Sequence, residues 1–175
     1  MAMEFQTERL RIRPWKESDA EDFYQYASDN RVASMAGWPA PSSVEKCRWA
    51  IREILSCWGF FALELQESHQ VIGCISLLIG EASNYEISQE EGELTFWLGF
   101  PYWGQGLMQE AIQCMITYGF EDLQLTRLWC GHAQENLQSA SLQKKCGFQY
   151  HHTLEQVQNM VGEPHREIVM YLDAD

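Results

Sequence analysis

Gly104 and Gly106 frame a turn, Trp103-Gly104-Gln105-Gly106, between an alternating apolar run and a strongly helical segment. The start of a helix carries N–H groups without intrahelical partners and the positive end of the helix dipole. Glycine leaves the main chain bare there, so this junction suits a phosphate or another anion. An ordinary tight turn uses the same residues. Two other groups could move a proton: Glu93, on the polar side of the run before the turn, and His132, just after an apolar run ending at Cys130. Their bland readings are a solvated strand carboxylate and a loop histidine. Cys47, Cys57, Cys74, Cys114, Cys130 and Cys146 show neither C-x-x-C pairing nor a metal-ligand spacing with histidine. They read as reduced core residues, with a reactive thiol as the rival, and no metal is expected.

These residues must be held by regular elements. Leu94, Phe96, Leu98 and Phe100 alternate with Glu93, Thr95 and Trp97, which predicts a strand over 93–100. The rows Leu107–Ala111–Met115 and Met108–Ile112–Ile116 predict a helix from Gln105 to Tyr118, with Gly119 as its C′ residue. Thr126 to Cys130 reads as a strand, Asn136 to Cys146 as a short helix ended by Gly147, and 149–157 and 167–172 as two closing strands. Upstream, Phe5 to Arg13 alternates as one half-buried strand stopped by Pro14. Ser18 is placed to cap a helix reaching about Ser28, and Ser42 or Ser43, with Glu45, to cap a second reaching about Cys57. Between them Gly37-Trp38-Pro39-Ala40-Pro41 forms a rigid aromatic loop. Phe60–Leu65 and Val71–Ile79 read as strands joined by a polar turn, and 81–91 as a loop. This order implies an α/β chain of α+β type, with a mixed sheet covered by helices.

A length of 175 residues fits a single domain over 1–175, without linker, repeat or low-complexity tract. Seven tryptophans, seven tyrosines and eight phenylalanines suggest a large aromatic core or an aromatic-lined cleft. A net charge of −13 argues against a nucleic-acid or anionic-membrane surface, since those need basic stripes. It suits a cationic partner such as an amine or a basic peptide, and equally serves solubility alone. The N-terminus lacks the features of a signal peptide, and no stretch approaches ~18 uninterrupted apolar residues. A cytoplasmic protein is expected.

Together with Asn136-Leu137-Gln138-Ser139 and Lys145-Cys146-Gly147-Phe148, the glycine turn resembles the GNAT (Gcn5-related N-acetyltransferase) superfamily. The branch it is most similar to contains the acetyltransferases of ribosomal-protein N-terminal alanine. Further landmarks of that branch are Thr7-Glu8-Arg9-Leu10 with Arg13-Pro14, Asp22-Phe23-Tyr24, Gly37-Trp38-Pro39 and Glu93-Leu94-Thr95-Phe96-Trp97-Leu98. They occur in the family's order over nearly the whole chain. The resemblance implies a mixed, mostly antiparallel central sheet flanked by about four helices. It also implies acetyl-CoA as acetyl donor and an amine as acceptor. Backbone N–H groups of Gln105, Gly106, Leu107, Met108 and Gln109 would then hold the CoA pyrophosphate, and one near Trp97–Leu98 would polarise the thioester carbonyl. Asn136 would bond the pantetheine arm, and Ser139 would point toward the sulfur. The residues have plainer readings too: Asn136 as a helix N-cap, Ser139 as a capping-turn serine, Lys144 and Lys145 as favourable charges late in a helix. Met108 stands where the family usually has Gly or Ala, so its side chain either crowds the phosphate or points into the core. Gln143 stands where many relatives place a tyrosine that serves the leaving group. Ser139 is therefore the candidate donor to the sulfur, with Tyr150 behind it.

Amine acetylation needs a neutral amine, a polarised thioester carbonyl and a donor for the departing thiolate. The base is left among Glu93, His132 and water. An α-amine of pKa ~8 is about one-tenth neutral at pH 7, whereas lysine at ~10.4 is neutral in less than about one part in a thousand. Lack of an obvious base thus favours an α-amine, or another amine of low pKa, over lysine. The expected function is transfer of acetyl to a primary amine, foremost a protein N-terminal α-amine. The alternatives are a small-molecule acceptor such as a polyamine or aminoglycoside, and a non-catalytic CoA-binding regulatory module. Trp38 either walls the acceptor pocket or packs as a core aromatic. A homodimer is compatible with this reading.

Overall fold

Apolar runs make the central strands, buried on both faces in Phe60–Leu65 and Val71–Ile79. In the computed structural model, which describes residues 3–175, β1 (Phe5–Gln6), β2 (Leu10–Arg13), β3 (Phe60–Leu65), β4 (Val71–Ile79), β5 (Glu91–Leu98), β6 (Arg127–Ala133), β7 (Gln149–Gln158) and β8 (Pro164–Asp173) form one sheet. Its order is β1-β2-β3-β4-β5-β6-β8-β7. β5 and β6 are parallel, and β1–β2, β2–β3, β3–β4, β6–β8 and β7–β8 are antiparallel. The α-helices are α1 (Ala20–Ala27), α2 (Asn30–Ala36), α3 (Val44–Ala50), α4 (Leu107–Thr117) and α5 (Leu137–Lys145). This is the mixed, mostly antiparallel α/β architecture expected.

Local chemistry explains where the elements depart from the sequence expectations. The strand expected over 5–13 is a hairpin, because Thr7 closes a turn: its N–H donates to the Leu10 carbonyl at 2.9 Å and its hydroxyl accepts from the Leu10 N–H at 3.0 Å. α1 starts at Ala20, after a short 3-10 turn that contains Ser18, so Ser18 is not its cap. α2 was not anticipated, although the Asp29 side chain caps it on Arg31 N–H and Gly37 ends it at φ 73°. Ser43, not Ser42, caps α3 on the Lys46 N–H. The helix expected to reach Cys57 gives way after Ala50 to a π turn, Ile51–Leu55. β5 ends at Leu98, and Phe100 opens the 3-10 turn Phe100–Tyr102 with Pro101 inside it. Gly119 is no C′ residue: it lies within the π turn Tyr118–Asp122 that follows α4, and a Cβ there would sit 3.3 Å from Leu128. Its smallness serves packing.

The residues pack as two compact units, one reaching Ser76 and including Phe96–Ala111, the other made of Leu77–Thr95 and Ile112–Asp175. In the first, Trp15, Ala20, Cys47, Ile51, Ala62, Val71 and Cys74 form a core ringed by Phe23, Phe60 and Trp97. A buried ion triad stands beside it. Arg13 donates to both Asp19 oxygens at 2.8 and 2.9 Å and to Glu64 at 2.5 Å. In the second unit, Leu94, Ile112, Met115, Leu128, Cys130 and Met170 are buried.

Of the cysteines, Cys47, Cys74, Cys130 and Cys146 are buried as expected, while Cys57 is exposed and Cys114 half-buried. Burial pushes the Cys47 thiol up to about 11 and the Cys74 thiol up to about 12. Neither is a ready nucleophile. Among the described residues no helix is long and apolar enough to cross a membrane.

Candidate active site

The glycine turn is built by its neighbours. The Trp103 indole N–H donates to the Leu98 carbonyl at 2.7 Å, and the Gln105 amide to the Pro101 carbonyl at 2.9 Å, which ties the turn back onto the end of β5. Gly104 and Gly106 hold φ +71° and +79°, the left-handed region that L side chains avoid. Nothing would meet a Cβ at Gly104, so conformation and not room requires glycine there. Gly106 accepts the first helical bond of α4, from the Glu110 N–H at 3.1 Å. That leaves the N–H groups of Leu107, Met108 and Gln109 outside the helix ladder. Met108 is 5% exposed, so its side chain packs inward and does not stand over the turn. Of its two sequence readings, the core reading holds.

A cation that sequence reasoning missed stands beside this helix start. The Arg9 guanidinium comes within 3.3 Å of where a Gly106 Cβ would lie. Glu110 fixes it, accepting from Arg9 Nε at 2.5 Å, from the Arg9 N–H at 3.1 Å and from the Thr7 hydroxyl at 2.7 Å. Burial alone would raise the Glu110 carboxyl, but the bonds from Thr7 and Arg9 outweigh it and hold the group below its ordinary value. An open cleft of about 520 Å³ adjoins, lined by Arg9, Leu65, Gln66, Tyr102, Gln105 and Leu107. Arg9 was visible in the sequence only as a landmark in Thr7-Glu8-Arg9-Leu10. Its partner lies 101 residues away, beyond any local pattern.

Trp97 and Leu98 end β5. Trp97 stacks on Phe23 with centroids 5.6 Å apart, and Trp38 meets it edge-on at 6.0 Å. Trp38 thus packs as an aromatic while staying half-exposed.

In the second unit β6 and α5 carry a polar network. His132 is a strand residue and not a loop one, and is 7% exposed. Its Nδ1 lies 2.9 Å from Gln143 Oε1, while Gln143 Nε2 donates to the Gly131 carbonyl at 2.9 Å and to Ser139 Oγ at 3.1 Å. Burial lowers the His132 pKa from its ordinary 6.5 and outweighs the opposing bond to Gln143, which favours the neutral ring. Asn136 caps α5, its Oδ1 accepting from the Ser139 N–H at 3.0 Å. Its Nδ2 has no bond among the described residues. Gly147, φ +97°, follows the helix as anticipated.

Glu93 is neither solvated nor free: it is 4% exposed. Residues that read as a plain loop fold onto it. Ser83 Oγ and the Asn84 N–H each donate to one carboxylate oxygen at 2.7 Å, and Asn84 Nδ2 to the other at 3.2 Å. Nearby, burial raises the Tyr85 hydroxyl, with Glu167 and Glu93 adding to the effect. Burial also raises the Glu167 carboxyl, with Glu93 adding and His165 opposing. Tyr150, the second candidate donor, is exposed, and its hydroxyl lies 3.0 Å from Thr153 Oγ1. Lys144 and Lys145 are exposed. No cluster of three or more His, Cys, Asp or Glu side chains among the described residues could hold a metal ion.

Residues 9–149 match the model of a family described as acetyltransferase (GNAT) domain. The chain is 33% identical over 150 residues to the N-acetyltransferase p20 of Bacillus licheniformis, covering 82% of this chain and 80% of that protein. Its fold is similar to a GNAT-family acetyltransferase from Bacillus anthracis, with TM-score 0.84, 22% identity and 98% of each chain covered. It is also similar to the ribosomal-protein-S5-alanine acetyltransferase of Vibrio fischeri, with TM-score 0.77, 22% identity, and 99% and 97% of the two chains covered.

Proposed function

The chain belongs to the GNAT family and is an acyl-CoA-dependent N-acetyltransferase; on that premise we propose that it moves acetyl from acetyl-CoA to the N-terminal α-amine of a protein. The observation that carries the donor assignment is the start of α4. Unladdered N–H groups after two left-handed glycines, with the fixed Arg9 cation beside them, suit a pyrophosphate. Leu107, Met108 and Gln109 offer their main-chain N–H groups to it. Gln105 and Gly106 supply the turn that leaves those groups uncovered.

The remaining roles follow from which atoms are still free. Asn136 spends Oδ1 on the helix cap and keeps Nδ2–H for a carbonyl of the pantetheine arm. Ser139 Oγ accepts from Gln143 and keeps its O–H for the sulfur. A main-chain N–H at Trp97 or Leu98 polarises the thioester carbonyl. The amine lone pair attacks the carbonyl carbon, the C–S bond breaks, and its electron pair leaves on sulfur. The proton lost by the amine passes to water or to neutral His132. Glu93 suits that task less well, since its oxygens already accept from Ser83 and Asn84.

Two considerations favour an α-amine. At pH 7 it is about two-hundredfold more often neutral than a lysine, which suits a site with only a modest base. The Vibrio fischeri structure is also of an acetyltransferase whose name gives a ribosomal-protein alanine as acceptor. Trp38, half-exposed against Trp97, is the residue we place beside the acceptor.

Mass spectrometry of peptides incubated with protein and acetyl-CoA tests the reading. A peptide with a free N-terminus should gain one acetyl group, and its N-blocked, lysine-containing counterpart none. Turnover of polyamines or aminoglycosides with no peptide product would reassign the acceptor. Saturable acetyl-CoA binding with no transfer to any amine would make the chain a regulatory module.

A further inference from the structure

Gln143 occupies the place of a tyrosine in many relatives, and its amide is fully buried, 0% exposed. The Gly131 carbonyl can only accept, so the Gln143 NH2 must face it, at 2.9 Å. The amide cannot be turned over without opposing two carbonyl oxygens. Its Oε1 therefore faces His132, and because that oxygen can only accept, His132 Nδ1 must carry the proton of their 2.9 Å bond. Nε2 of the neutral ring is then a bare acceptor. The second NH2 hydrogen is taken by Ser139 Oγ at 3.1 Å, which occupies a lone pair there and turns the hydroxyl hydrogen away from Gln143.

We infer that Gln143 is a positioning residue: one buried amide holds Ser139 as a hydrogen-bond donor and His132 in the Nδ1–H tautomer. The Ser139 arm rests on the proposal that Ser139 serves the leaving sulfur; the tautomer arm stands on geometry alone. Gln143 cannot accept a proton, so it cannot pass one on to Ser139. Ser139 thus lends a hydrogen bond to the sulfur as the C–S electron pair arrives there. A thiol with a pKa of about 8.5 leaves as a thiolate without full protonation. What reads in the sequence as a lost tyrosine is here a rigid device for orienting two other side chains.

The test has one readout that does not depend on activity. The ring nitrogens of His132, followed by ¹⁵N NMR near neutral pH in the intact chain, should show Nδ1 protonated. In Gln143→Met, which fills the same space without polar atoms, the ring should shift toward the Nε2–H form. Gln143→Met should lower kcat about tenfold or more while the KM for acetyl-CoA stays within about twofold. Ser139→Ala should fall similarly, and the double variant should be no worse than the poorer single one. If Gln143→Met does not fold, the wild-type tautomer and Gln143→Glu, which keeps an acceptor for His132 but loses the donor to Ser139, carry the test. An Nε2–H ring in the wild type, undiminished kcat in Gln143→Met or Gln143→Glu, or additive losses in the double variant would overturn the inference. A wild type that acetylates no amine yet shows Nδ1–H would overturn the acetyl-transfer reading and the Ser139 arm with it, while the tautomer arm stands.

Discussion

The two packed units surround their buried carboxyl groups differently. In the unit with the glycine turn, carboxylates are paired with arginine: Glu110 with Arg9, Glu64 and Asp19 with Arg13. Burial pushes Glu64 up, but its bonds from Arg13 and His69 outweigh this and hold it below the ordinary carboxylate value, as happens at Glu110. In the other unit burial prevails. His132 is held neutral against an uncharged glutamine, and the Glu167 carboxyl is raised with no arginine bonded to it. A neighbouring guanidinium fixes charge, whereas a neutral partner in a dry place leaves a group close to losing it. The first arrangement keeps charge in place, and the second leaves a group able to exchange a proton.

The largest effect that would break this contrast is expected at the triad. Arg13→Met leaves Asp19 and Glu64 buried without their cation, and should destabilise the fold by about 3–5 kcal/mol in urea unfolding. A loss below about 1 kcal/mol would mean that water reaches those carboxylates. Next is Gly106→Val. A β-branched residue at φ +79° that also crowds Arg9 should weaken acetyl-CoA binding about tenfold or more in calorimetry. Unaltered affinity would remove the helix start from the donor site.

Arg9→Gln should be milder. It should raise the KM for acetyl-CoA about fivefold and flatten its salt dependence, because one half-exposed cation is lost. With acetyl-pantetheine, a donor without phosphates, the two proteins should match. A loss with both donors would show Arg9 to be structural only.

The smallest effect is in the pH dependence of stability. The folded pKa of His132 lies below its ordinary 6.5. Between those values the unfolded chain binds more protons, so stability falls as pH drops below about 6.5. Glu167 acts in reverse. Its raised folded value means the native state binds the extra proton above 4.5, so its contribution is lost as pH rises through that window. Melting temperatures across pH 5–7.5 should show a decline toward acid that is reduced in His132→Asn. A slope identical in the two proteins would mean that His132 titrates as freely folded as unfolded.

Much of the fold was legible because it is written locally. The β3 and β4 spans follow from two apolar runs parted by a polar turn, α4 from its four-residue rows, and the end of α5 from Gly147. The hairpin at Thr7 was not, since alternation runs on through 5–13 and a single side-chain bond makes the break. The glycine turn was legible from Gly104 and Gly106, whose backbone angles demand glycine. Arg9 was not, because its value depends on Glu110, far along the chain. Glu93 misread as solvated for a similar reason: the residues that bury it, Ser83 and Asn84, look like any polar loop. Gln143 looked like a deficit because sequence compares residue types at one position, while its use lies in three partners contributed by β6 and α5.

Calorimetric titration of the folded protein with acetyl-CoA tests the central claim most directly, alongside Ser139→Ala and Gly106→Val. The account predicts saturable one-to-one binding that survives in Ser139→Ala, which alters chemistry and not phosphate contacts, and is weakened in Gly106→Val. Absence of binding in well-folded wild-type protein would contradict it.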